Sequence, residues 1–151
     1  GVQTCALPIY YIPHIVKKIE GQDSLDRRFY ERHYTKVDPK HFEPIVDGMW
    51  RGVNVGGTST AARLEGLDVC GKTGTAENPR GRDHSTFLSF APKDNPKIAI
   101  SVYVENGGFG ASAALPIASL LEEYYLTDTI RRPALLEHIK NMNIYYPSYD
   151  R

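Results

Sequence analysis

Cysteine is almost absent: Cys5 and Cys70 are the only two, and they match neither a disulfide framework nor a metal-ligand spacing. Charge of one sign is not in excess, since Lys plus Arg and Asp plus Glu stand at 18 each, so electrostatics give no reason to expect nucleic acid or an anionic membrane surface as partner. No run of about 18 or more apolar residues occurs, so none of these residues reads as a membrane-spanning helix, and the first residues lack the order of an export signal. His14, His33, His41 and His138 are scattered without ligand spacing, so neither a metal nor a cofactor is expected. Internal repeats and low-complexity segments are also missing.

What is present suffices for one domain with a sizeable core: 151 residues, 41% of them hydrophobic, or a piece of something larger. Residues 1–9, "GVQTCALPI", coincide with the translation of GGA GTT CAG ACG TGT GCT CTT CCG ATC and read as a sequencing-library adapter rather than as protein. On that reading the natural chain begins near Tyr10, Cys5 is an artefact, and the reading frame continues upstream.

Residues 10–20, "YYIPHIVKKIE", are aromatic and β-branched enough to predict a strand, with Pro13 marking an edge or a break. A polar surface excursion follows. The clearest helical signal lies in "DPKHFEPIVDGMWRGV": Asp38 is a candidate N-cap with Pro39 at the first helical position. Phe42, Ile45, Val46, Met49, Trp50 and Val53 recur at helical spacing as one apolar stripe. After the Gly, Ser and Thr-rich connection "NVGGTSTAARLEGLD", strand character returns at Val69 to Ala76. Residues 84–92 and 97–108 make two further strands, joined as an antiparallel hairpin by "KDNP". Residues 111–126 predict a second helix with Ile117, Leu120, Leu121, Tyr124 and Tyr125 on its packed side, and from Thr127 to Arg151 the pattern weakens into an aromatic and polar tail. Helix, three strands and helix in that order predict an α+β fold, an antiparallel sheet backed by helices.

The chemistry concentrates in "VCGKTGTAEN", residues 69–78. Strand alternation places Thr73 and Thr75 on one face and Lys72 on the other, with Gly71 and Gly74 removing bulk around the lysine. Glycine weakens a strand unless something approaches the backbone closely, so the pattern suggests a docking edge. A ligand lying along it would exchange main-chain hydrogen bonds, with the hydroxyls and the ammonium offered to a carboxylate. Alternation alone does not bring the three side chains to one cleft; an edge strand is needed.

The triplet K-T-G alone is weakly specific. In order with "DHSTFLSFAP", "KIAISVYVENGG" and a helix with an early proline, it resembles the C-terminal half of the transpeptidase domain of class B penicillin-binding proteins. Stretches such as "PHIVKKI" and "DPKHFEPIVDGM" are most like the elongation type, penicillin-binding protein 2. The resemblance covers residues 10–126 and implies the penicillin-binding-protein and serine β-lactamase-like fold. It also implies three motifs meeting in one cleft: S-x-x-K with the nucleophilic serine, S-x-N, and K-T-G. By this resemblance Lys72 adds positive potential and contacts the S-x-N serine, and Thr73 and Thr75 hold the carboxylate of a substrate or β-lactam. The Thr75 N–H is one of two oxyanion donors, and Gly74 permits the close approach. The implied substrates and partners are peptidoglycan stem peptides, β-lactam antibiotics, a partner glycosyltransferase and the cell-elongation machinery, on the periplasmic side of a bacterial inner membrane.

Neither S-x-x-K nor S-x-N occurs in these 151 residues. Both precede K-T-G in the family, so they are expected upstream of residue 10, and the chain alone is expected to be inactive and marginally stable. Division-type penicillin-binding proteins, serine β-lactamases and a non-catalytic penicillin-binding sensor domain remain as alternatives. The pair Asp83 and His84 reads as a turn entering a strand, Cys70 as a small buried hydrophobe, Glu77 and Asn78 as a solvated turn. Gly107, Gly108 and Gly110 read as turn residues before the second helix.

Overall fold

The structure is a computed structural model and describes residues 9–22 and 24–144. In chain order its elements are β1 (Ile9–Tyr10), β2 (His33–Tyr34), α1 (Glu43–Asn54), β3 (Cys70–Ala76), β4 (His84–Ala91), β5 (Ile98–Val104), α2 (Ala114–Thr127) and α3 (Pro133–Lys140). β1 and β2 form a small antiparallel ladder of their own, and β3, β4 and β5 form an antiparallel sheet in that order. The adapter reading of residues 1–9 lies outside the described residues except for Ile9, which opens β1.

The sheet buries one face. Its register sets Gly71, Ser89 and Ile100 in one row, Thr73, Phe87 and Val102 in the next, and Thr75, Ser85 and Val104 in the third. Phe87, at the centre, is fully buried in a cluster with Val53 of α1 and Leu115 and Ala118 of α2, a burial that stabilises by about 1.5–3 kcal/mol. On the opposite face Leu88 and Tyr103 are half exposed. The predicted hairpin forms, with its second strand ending at Val104 rather than reaching residue 108: Lys97 N–H donates to the Ala91 carbonyl at 2.8 Å, and Asn95 takes a left-handed φ of 55° in the connection.

Five expectations are corrected. The strand over residues 10–20 does not form beyond Tyr10; Pro13 offers no N–H to a ladder, and Ile15, Val16 and Ile19 stand exposed. Asp38 does act as an N-cap, its carboxylate accepting from Lys40 N–H at 3.0 Å, but it opens a 3₁₀ turn over Pro39–His41. An α-helix begun there would hold Pro44 in its interior; restarting at Glu43 puts that proline in the first turn. The stripe on α1 loses Ile45, which is exposed, while Val53 is fully buried. On α2 the packed side differs: Leu121, Tyr124 and Tyr125 face out, whereas Leu115, Ala118, Ser119 and Glu122 face in. Small side chains at Ala114, Ala118 and Ser119 let the helix axis approach the sheet, and the bulky ones turn away. The stretch read as a tail contains α3, entered through Pro133, and residues 145–151 lie outside the described part.

Candidate active site

β3 is regular over its whole length and, among the described residues, pairs on one side only. Antiparallel residues alternate between exchanging both backbone bonds with their partner and exchanging none. The Thr73 carbonyl accepts instead from Lys72 Nζ at 2.6 Å, and the Gly71 carbonyl faces Gly52 of α1. The odd-numbered residues therefore turn their backbone groups to the open edge, and Thr75 N–H is among them. An edge position is what lets Lys72 reach its neighbour: the lysine bends around the strand to the outward Thr73 carbonyl.

Thr73 is half-buried and its hydroxyl lies 3.0 Å from that of Thr58, in the turn after α1. Thr75 is exposed. The structure thus gathers Lys72, Thr73 and Thr58, with the Thr75 backbone one step along the same edge. Thr58 carries no motif of its own in the sequence: it lies in a Gly, Ser and Thr-rich connection, 15 residues from Thr73. The only local signal is the glycine pair that precedes it.

The glycines serve packing as well as access. A Cβ on Gly71 would stand 2.5 Å from Phe87 Cζ and 3.2 Å from Val53 Cγ2, so this glycine lets α1 and the sheet core close. A Cβ on Gly74 would run into Thr86 Oγ1 on one face. From the other side Gly110 lies on the strand, where an added Cβ would come within 2.5 Å of the Gly74 carbonyl and 2.6 Å of that of Thr86. Gly108 adopts a left-handed φ of 77° in the same connection, so Gly108 serves a turn and Gly110 a backbone contact. Ser85, in the row of Thr75, ties this connection down: its hydroxyl donates to the Phe109 carbonyl at 2.8 Å and accepts from Ala114 N–H at 2.9 Å, fixing the start of α2.

Asp83 and His84 are taken up by the fold. Asp83 accepts from Asn78 N–H at 3.1 Å through its carboxylate and from Gly108 N–H at 2.8 Å through its carbonyl. His84 Nδ1 accepts from Asn106 N–H at 3.0 Å, which puts the ring proton on Nε2. Asn78 does more than end a solvated turn: its amide donates to the Arg82 carbonyl at 3.1 Å and to Asn106 Oδ1 at 2.9 Å, joining the β3–β4 and β5–α2 connections. Cys70 is fully buried, and burial pushes its thiol up to about 12, so it stays protonated and unreactive near neutrality. No group of three or more His, Cys, Asp or Glu residues suited to a metal ion occurs among the described residues.

The family model of the penicillin-binding protein transpeptidase domain matches residues 9–121. The chain belongs to that family. Peptidoglycan D,D-transpeptidase MrdA of Haemophilus influenzae is 34% identical to it over 140 residues, 78% of this chain and 21% of that protein. Among solved structures, PBP2 of Pseudomonas aeruginosa matches this chain with a TM-score of 0.64 and 34% identity, covering 82% of it and 27% of the PBP2 chain. Penicillin-binding protein A of Mycobacterium tuberculosis, solved as an imipenem acyl-enzyme, matches with a TM-score of 0.58 and 29% identity over 80% and 27%. The sheet and its helices are accordingly part of the penicillin-binding and β-lactamase-like fold, with relatives of the PBP2 type. The chain spans about a fifth of the length of the curated relatives it matches.

Proposed function

We propose that this chain forms the carboxylate-side wall of a peptidoglycan D,D-transpeptidase that, as a whole protein, cross-links stem peptides during cell-wall elongation. The observation that carries the reading is the open edge of β3, where Lys72, the Thr73 hydroxyl and the outward Thr75 N–H lie along one accessible strand. Lys72 supplies positive potential and contacts the S-x-N serine, Thr73 and Thr75 hold the terminal carboxylate of D-alanyl-D-alanine, and Gly74 lets the substrate backbone approach.

In the proposed reaction a serine outside these residues attacks the carbonyl carbon between the two D-alanines. The C–N bond breaks, and the terminal D-alanine leaves with a proton. An amine of a neighbouring stem peptide then attacks the acyl ester, and the serine regains its proton. Thr75 N–H donates to the oxyanion in both steps, together with the serine's own N–H. β-Lactams acylate the same serine. The cleft works on the periplasmic side of the bacterial inner membrane, beside a glycosyltransferase and the elongation machinery.

Without S-x-x-K or S-x-N, the 151-residue chain forms no acyl intermediate. Incubation with a fluorescent penicillin, followed by a denaturing gel, is expected to leave the chain unlabelled; a covalent adduct would overturn this. Sequencing the gene upstream of the Tyr10 codon tests the acyltransferase itself. In-frame S-x-x-K followed by S-x-N is expected, and a long upstream frame without them removes the assignment.

A further inference from the structure

The turn after α1 is clamped to the end of that helix. Gly57 lies on Gly52, where a Cβ would stand 2.6 Å from the Gly52 Cα, and the buried Ser59 donates its N–H to the Gly52 carbonyl at 3.2 Å. Between these two anchors Thr58 is exposed, with its hydroxyl 3.0 Å from that of Thr73. Two hydroxyls at that distance form one hydrogen bond, and either can donate.

A carboxylate removes the choice. It only accepts, so when it binds at Thr73 the Thr73 proton must point to it, and the Thr73 oxygen is left to accept from Thr58. Donation in one direction along Thr58, Thr73 and the carboxylate strengthens each bond by polarising the next. We propose that Thr58 is a positioning residue: it holds the Thr73 hydroxyl with its proton turned to the carboxylate of a ligand at the β3 edge. This rests on the carboxylate-wall reading above, and it adds a fourth side chain to the Lys72, Thr73 and Thr75 set.

The test uses the ¹⁵N-labelled chain, titrated with N-acetyl-D-alanyl-D-alanine and with the same dipeptide capped as a C-terminal amide. The amide signals of Gly74 and Thr75 are followed, and the melting temperature is recorded for each variant. The unsubstituted chain is expected to respond to the acid and not to the capped form. Thr58→Val, which keeps the shape and removes the hydroxyl, is expected to weaken binding about fivefold, the effect of one lost hydrogen bond. Because Thr58 is exposed, its melting temperature should move by no more than about 2 °C. Thr58→Ser restores the hydroxyl and the affinity, and Thr58→Ala repeats the loss without a branched side chain. Equal affinity in Thr58→Val and the unsubstituted chain overturns the proposal alone, as does a Thr58→Ser variant as weak as Thr58→Val. No response of the unsubstituted chain at Gly74 and Thr75 overturns the carboxylate wall and the proposal with it.

Discussion

Glu122 has no exposed surface, and neither of its carboxylate oxygens has a hydrogen-bond partner among the described residues. Burial pushes its pKa up to about 7, against a weaker opposing pull from the Arg132 charge. The folded value lies above the unfolded one, so the folded chain holds the proton more tightly. Its contribution is fully present below about pH 4.5, falls as the pH rises, and is lost above about pH 7. The difference amounts to about 3 kcal/mol at most. Glu122→Gln should therefore match the parent near pH 4 and exceed it at pH 8, flattening the pH dependence of the urea midpoint. Parallel pH profiles for the two proteins would remove Glu122 as the cause.

Arg132 joins three elements. Its Nε donates to Glu123 at 3.1 Å, one Nη to the Ala61 carbonyl at 3.2 Å and the other to the Ser119 carbonyl at 3.0 Å, so the entry to α3 is fixed to α2 and to the turn before β3. Arg132→Ala leaves the nearly buried Glu123 without its cation, at a cost of about 2–3 kcal/mol. Faster amide exchange in residues 133–140 than in β4 is the expected signature; unchanged exchange there would show that α3 is held by its apolar contacts instead. The sheet, its hairpin, and the existence of α1 and α2 were legible in the sequence because strand alternation and helical spacing are local signals. The packed side of α2 was not, since Leu115, Ala118 and Leu120 compete with Leu121, Tyr124 and Tyr125, and the buried Glu122 disguises the inner face. α3 is announced only by Pro133 and the spacing of Leu135, Leu136 and Ile139. At the site, the lysine and threonines of β3 could be named from their motif, but Thr58 reaches them through a turn whose path depends on α1, and no local pattern encodes that.

As a whole the chain shows more apolar surface than its core requires. Among the described residues the outer edge of β5 is unpaired, Leu88 and Tyr103 stand half exposed on the open sheet face, and Leu121, Tyr124, Leu136 and Ile139 line an apolar groove between α2 and α3. An apolar edge strand beside such surface is a template for pairing with another copy. Sedimentation velocity should show the isolated chain associating as its concentration rises, and Ser101→Lys on β5 should reduce that association; a concentration-independent monomer would contradict both. The contact between Gly110 and the peptide of Gly74 has a different reach. Two backbones that touch with no side chain between them leave no slack, so the connection ahead of α2 and the K-T-G strand must shift together. A substitution in residues 107–113 is then felt at Thr75 as a change in where its N–H points, although every residue of the strand itself is unaltered.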